Sequence, residues 1–274
     1  MNNLFANEIF GVLEPKHGKK FDLVGTPLSA NQDFYFVSKW KEIFSRYSVA
    51  RIFIYKTQEE DWSYWFNPVD DQIVQKGIEL TFKSELYETA LIYYNILVDL
   101  SWAITYVTAE YAIYKFDNKG NAIDALDLSE MVTIEEAYEM LRKTENGIST
   151  PNAKGNPFEY LSIMRPEFKE AIDLIIDFWA KFSNSNIRNL YNYLKHKGKP
   201  IYKEIEELRG GRLMNIKIFG KEIPSEIRDV QKLICLENGI KELVDFDDNV
   251  LFHYIKQLLD LLEVAVNPSP MAFL

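Results

Sequence analysis

Residues 188 to 196 bring together side chains that could act on a phosphodiester bond. Arg188, Asn192 and His196 recur at four-residue intervals, which places them on one face of a helix with about 40° of drift per step. Asn189 is nearly in line with His196 on that face. Arginine binds phosphate oxygens through its planar fork, and histidine transfers protons near neutral pH. Arg188, Asn189 and His196 are therefore the candidate active-site residues.

Three lysines surround the histidine, namely Lys195, Lys197 and Lys199. Together with Asn192 they are candidates for binding the phosphates of a substrate. With a ribose 2'-hydroxyl as internal nucleophile, cleavage needs no metal ion, because an arginine can stabilise the charge of the transition state. Because this mechanism requires a 2'-hydroxyl, it predicts RNA as the substrate. The alternative interpretation is that these residues have no chemical role and form the solvated face of an ordinary amphipathic helix.

The segment RNLYNYLKH, residues 188 to 196, resembles the signature of HEPN domains. These are all-helical bundles in which an arginine, followed directly by a polar residue, precedes a histidine on the last long helix. The resemblance implies catalytic roles for Arg188 and His196 and a supporting role for Asn189. It also implies a metal-independent ribonuclease whose site is formed by two copies of the chain, often in toxin, defence or RNA-processing systems.

The spacing between the arginine and the histidine departs from the family pattern. Seven residues lie between Arg188 and His196, more than the family usually places there. In a regular helix this spacing leaves the two side chains about 80° apart around the axis. A local bulge, or a helix end before His196, would bring them closer to one face.

The neighbouring residues define the helix that would carry the site. Ser183 to Asn186 interrupt the preceding helix and supply an N-cap, and Gly198 indicates that the new helix ends soon after His196. The apolar residues follow the i, i+3, i+4, i+7 rule and would dock on a bundle: Ile187, Leu190, Tyr191 and Leu194.

A long helix is predicted from about residue 79 to residue 115. Its apolar positions share one side. The opposite side carries a polar stripe of Glu88, Asn95, Asp99, Tyr106 and Glu110. This stripe is either a solvated face or the lining of a cleft.

The whole pattern predicts a mainly α fold, a helical bundle with a small β hairpin and short N-terminal strand and loop additions. A helix is expected around residues 31 to 47, a β-branched strand at 49 to 55, a hairpin within 213 to 224, and a last helix over 248 to 264. The expected organisation is a mixed N-terminal appendage, residues 1 to 77, packed on a helical domain, residues 78 to 274.

Composition limits the function classes. The net charge of -10 argues against a surface that binds nucleic acid everywhere, so any RNA contact must be local. The single cysteine, Cys235, cannot form an intramolecular disulfide and indicates the cytoplasm. With three histidines and no cysteine pair, few ligands exist for a metal. Charged residues interrupt the longest apolar segment, so no membrane span is expected.

Two hypotheses from different classes follow. The first is a homodimeric ribonuclease of HEPN type that needs neither metal nor cofactor. The second is a non-catalytic helical module that binds a protein or a ligand, in which Arg188 and His196 have no chemical role. Motifs for a phosphate-binding loop or a serine nucleophile are absent from the sequence.

Overall fold

The computed structural model gives a mainly helical protein, which confirms the fold class expected from the sequence. The residues that the structure describes are 4–14, 27–109, 114–116, 122–125, 135, 139, 161–163, 165–208, 217–218, 221–222 and 232–266.

The helices, in chain order, are α1 (Pro27–Lys56), α2 (Gln72–Thr108), α3 (Lys169–Phe182), α4 (Asn186–Lys197), α5 (Lys203–Leu208), α6 (Leu236–Phe246) and α7 (Phe252–Val266). A 3-10 turn, Pro166–Phe168, leads into α3, and a π-helical turn, Asp247–Leu251, joins α6 to α7. The strands are β1 (Tyr114–Phe116), β2 (Ala122–Ala125), β3 (Ile201–Tyr202), β4 (Lys217–Ile218), β5 (Lys221–Glu222) and β6 (Leu233–Ile234).

The chain forms two compact units, each built from three segments. The first unit contains Met1–Ala6, Ser48–Asn95 and Asn184–Asp248. The second unit contains Asn7–Tyr47, Ile96–Ser183 and Asn249–Leu274. The candidate site residues between 188 and 199 all belong to the first unit.

Helix α1 includes the residues that the sequence assigned to an N-terminal strand. The predicted strand at 49 to 55 is wrong, because these residues form the last turns of α1. Buried side chains follow helical spacing without a break through this region: Phe36, Trp40, Ile43, Tyr47, Ala50 and Ile54. Burial on one continuous helical face therefore outweighs the β propensity of Val49, Ile52 and Phe53.

Helix α2 is buried on the face that carries its polar residues as well as on its apolar face. Glu88, Asn95 and Tyr106 of the predicted stripe are buried, so this part of the stripe is not a solvated face. By length and composition alone, α2 could cross a membrane, but 72% of its most apolar stretch is buried within the protein. A buried core helix passes the same test.

A buried ion pair lies in the first unit. Arg51 of α1 donates from Nε to Asp247 Oδ2 at 3.0 Å, and from Nη2 to Oδ1 of the same carboxylate. The hydroxyl of Tyr94 also donates to Asp247. The side chain of Asp247 is 0% exposed and that of Arg51 is 8% exposed. The carboxylate is therefore compensated by three hydrogen bonds where water does not reach it.

The second unit has an aromatic core. Trp102 of α2 and Trp179 of α3 meet edge to face, with ring centroids 5.0 Å apart. Phe178 of α3 stacks on Tyr254 of α7 at 3.7 Å, and the hydroxyls of Tyr254 and Ser101 are 2.7 Å apart. These contacts join three helices around buried rings.

The strands are short additions to the helices. Strands β4 and β5 pair antiparallel, Lys217 with Glu222 and Ile218 with Lys221, which confirms the hairpin expected within residues 213 to 224. Strands β3 and β6 pair in parallel, and β1 pairs antiparallel with β2. The sequence patterns did not predict these last two pairings, because strands of two to four residues carry almost no periodicity.

Candidate functional site

Helix α4 begins and ends as its sequence indicates. Ser185 is the N-cap, and its side-chain oxygen accepts a hydrogen bond from the backbone N–H of Arg188 at 3.1 Å. Ile187 and Leu190 are buried. The helix ends at Gly198, whose φ of 99° is one that residues with a side chain rarely adopt. The cap and the glycine therefore fix the start and end of the helix that carries the candidate residues.

Replacing the cap tests how far it stabilises this helix. Ser185→Ala removes the acceptor for the Arg188 backbone N–H, so we expect the free energy of unfolding to fall by about 1 kcal/mol. Chemical denaturation measures this value. Ser185→Asp restores a capping oxygen and should stay within a few tenths of a kcal/mol of the native protein; equal losses in both variants would contradict a capping role.

Arg188 is held by a buried residue of α2. Its Nη1 donates to Asn95 Oδ1 at 3.1 Å, and its guanidinium carbon lies 5.0 Å from the centre of the Tyr191 ring. Asn95 is 0% exposed, and its Nδ2 donates to the backbone oxygen of Leu91 at 2.9 Å. The amide nitrogen of Asn95 is therefore engaged within α2, which leaves its oxygen to accept from the guanidinium.

The other candidate residues of α4 are more exposed. Asn189 is exposed, and its Nδ2 donates to the backbone oxygen of Asn184 at 3.4 Å. Asn192 is half-buried. Lys195, His196 and Lys197 are exposed in the last turn of the helix, where positive charge also suits the negative end of the helix dipole.

The structure keeps Arg188 and His196 apart within one chain. Helix α4 is continuous from Asn186 to Lys197, so neither a bulge nor an early helix end corrects the long spacing. Eight residues of helical rise separate the two Cα atoms by about 12 Å along the axis and about 80° around it. The guanidinium and the imidazole therefore do not converge on one point within a single copy.

A second set of polar side chains contacts the polar stripe of α2. It includes Lys199, which follows α4 in the chain. The hydroxyl of Tyr202, in β3, donates to Glu88 Oε1 at 2.6 Å. Lys199 pairs with Glu85 and lies 3.6 Å from Glu88 Oε1. The predicted substrate-binding Lys199 is thus engaged by two carboxylates. The sequence does not predict this role of Tyr202, because a tyrosine in a two-residue strand gives no signal of a partner more than a hundred residues away.

Burial raises the pKa of Glu88, although the hydrogen bond from Tyr202 and the charge of Lys199 oppose the shift. A carboxyl group whose pKa is raised by folding contributes its full stability below its unfolded pKa and loses it as pH rises through the folded value. Glu88→Gln keeps an acceptor for Tyr202 but cannot ionise. We therefore expect the variant to gain stability relative to the native protein as pH rises from about 4 to about 7.

Denaturation at a series of pH values measures this difference. A stability difference that stays constant over the range would mean that folding does not raise the pKa of Glu88. A difference that grows as pH falls would reverse the sign and contradict the raised pKa.

The described residues contain no group of three or more histidine, cysteine, aspartate or glutamate side chains that could hold a metal ion. The candidate site consists of Arg188, which the buried Asn95 holds in place, and the exposed basic residues in the last turn of α4. No family model, curated protein or solved structure matches this chain.

Proposed function

We propose that this protein is a metal-independent endoribonuclease of HEPN type. The observation that carries the proposal is the fixed guanidinium of Arg188, which is half-buried between Asn95 and the ring of Tyr191. An arginine held in this way can bind a phosphate and stabilise the charge of a transition state without first losing side-chain entropy. His196, exposed on the same helix, supplies the group that transfers protons.

A homodimer is part of the proposal. One copy separates Arg188 from His196 by about 12 Å of helical rise, so one phosphodiester cannot contact both at close range within that copy. Two copies of α4 placed side by side would supply the arginine and the histidine from different chains. The 2'-hydroxyl of the RNA would attack the adjacent phosphorus while the imidazole accepts its proton, and the bond from phosphorus to the 5'-oxygen of the next nucleotide would break. The products would be a 2',3'-cyclic phosphate and a 5'-hydroxyl, whose oxygen takes a proton from the imidazolium or from water.

The second candidate function is a non-catalytic helical module that binds a protein or a ligand. The pairing of Lys199 with Glu85 and Glu88 favours it, because that pairing removes a cation from the predicted substrate surface. The basic last turn of α4 also has a structural explanation in the helix dipole. In this case replacing Arg188 and His196 would leave binding unchanged.

Incubation of the purified protein with mixed RNA tests the proposal. We expect cleavage that EDTA does not inhibit, and a rate at least about a hundredfold lower for His196→Ala. His253→Ala is the matched control, because His253 is also an exposed helical histidine. A fully active His196→Ala variant would rule out the ribonuclease proposal and reveal a contaminating nuclease.

Mixing two inactive variants tests the composite site. Arg188→Ala and His196→Ala subunits are each expected to be inactive. After joint refolding, a mixed dimer would contain one site with both intact groups, so part of the native rate should return. If no activity returns although mixed dimers are detected, the two groups do not act across the copies.

A further inference from the structure

A pocket of about 530 Å³ lies in the first unit, between the first turns of α2 and helix α5. Its lining is mostly apolar and includes Phe82 of α2 with Ile205 and Leu208 of α5. The volume falls within the range of sites that bind small molecules. The ribonuclease proposal does not use this pocket.

Two apolar residues that line the pocket are exposed. Ile73 is 63% exposed and Val74 is 48% exposed, and both line the pocket. Gly77 also lines it, and a Cβ atom added there would meet no heavy atom within 4 Å. Close packing therefore does not require a glycine at this helical position. Its missing side chain leaves open space inside the pocket.

Charge distinguishes one end of the pocket. Among the described residues that line it, Glu85 is the charged one, and it pairs with Lys199 at the surface. Lys199 also lies 3.6 Å from Glu88 Oε1. A cation arriving at Glu85 could displace the lysine, which would keep Glu88 as its partner. The pocket thus offers an apolar wall and a carboxylate that can accept a positive charge.

We propose that this pocket binds a small amphipathic molecule with a positively charged group, such as an alkyl ammonium. The alkyl chain lies against Phe82, Ile205 and Leu208, and the ammonium pairs with Glu85. The carboxylate favours a cationic head over a neutral one and disfavours an anionic one, while the apolar wall supplies affinity to all three. This binding function is independent of RNA cleavage.

Three probes with the same chain and different heads test the charge preference: decylamine, decan-1-ol and decanoate. Each is used below the concentration at which it forms micelles or, for the alcohol, separates from water. Isothermal titration calorimetry gives their dissociation constants. We expect decylamine to bind about threefold to tenfold more tightly than decan-1-ol, as for a partly exposed ion pair, and decanoate most weakly. In Glu85→Gln the amine and the alcohol should bind equally.

Gly77→Leu tests the location, because the new side chain fills open space and should abolish binding of all three probes. Gly77→Ala is its control: one methyl group should leave most of the binding, and alanine should raise the melting temperature as a better helix former. If the native protein binds none of the probes, or if Gly77→Leu binds them as the native protein does, the pocket is not the site. If Glu85→Gln keeps the preference for decylamine, Glu85 does not recognise the cation.

Discussion

Asp247→Ala is expected to lower the free energy of unfolding by about 3–5 kcal/mol. The substitution leaves the guanidinium of Arg51 buried without its main partner and removes the acceptor of the Tyr94 hydroxyl. Asp248 lies 3.8 Å from Arg51 and offers a weaker substitute. The midpoint and slope of urea denaturation, followed by circular dichroism, measure the loss.

Two further variants test whether the loss of stability comes from the burial of the ion pair rather than from the loss of an ion pair as such. Lys169→Ala breaks the surface pair of Lys169 with Asp173, whose side chains are 59% and 52% exposed, and should change stability by no more than about 0.5 kcal/mol. Replacing Arg51 and Asp247 together by Met and Leu removes both buried charges and should recover most of the loss. If the Asp247→Ala loss is as small as that of Lys169→Ala, the ion pair is not effectively buried.

Arg188→Ala is expected to reduce RNA cleavage by about 10²- to 10³-fold. It should also lower the free energy of unfolding by about 1–3 kcal/mol, because it removes the donor to the buried Asn95 Oδ1. The half-buried guanidinium is the group that would stabilise charge on the transferring phosphorus. Single-turnover kinetics with a short RNA measure the rate of the chemical step apart from binding. Arg188→Lys keeps the charge but loses the planar fork, so it should recover only part of the rate.

Asn95 accepts the hydrogen bond that holds the Arg188 side chain in place. Replacing it tests whether this fixed position matters for catalysis. Asn95→Leu keeps the branched shape of the buried side chain, with a larger volume, but removes the acceptor of Arg188 Nη1. We expect it to lower kcat more than it raises KM, because the arginine remains present but is no longer held in place. A variant that loses stability but retains the native kcat would assign Asn95 a purely structural role.

The helical elements could be predicted from the sequence because apolar residues at intervals of three and four define a face. The same rule explains why the strand predicted at residues 49 to 55 is wrong. There the β-branched composition predicts a strand, but Ala50 and Ile54 continue the buried spacing of α1. The preceding turns of α1 already bury one helical face. Continuing that burial stabilises the chain more than the β propensity of residues 49 to 55 does.

The sequence predicts the candidate residues of α4 and the polar stripe of α2, but not the contacts between them. The cap at Ser185 and the exposed position of His196 follow from local sequence. The contact between Arg188 and Asn95 joins residues 93 positions apart. The hydrogen bond from Tyr202 to Glu88 joins residues 114 apart. Such pairings depend on how the helices pack, and no spacing rule in a single sequence encodes them.

The ion pair of Arg51 with Asp247 also bears on the order in which the chain can fold. Its partners are 196 residues apart, and the nearby hydrogen bond from the Ala6 backbone N–H to Asp248 joins residues 242 apart. During synthesis the chain emerges from its N-terminus, so Arg51 leaves the ribosome long before its partner does. Until residue 247 follows, the first unit cannot close around that charge. Its completion is therefore a late event in biosynthesis, governed by long-range contacts.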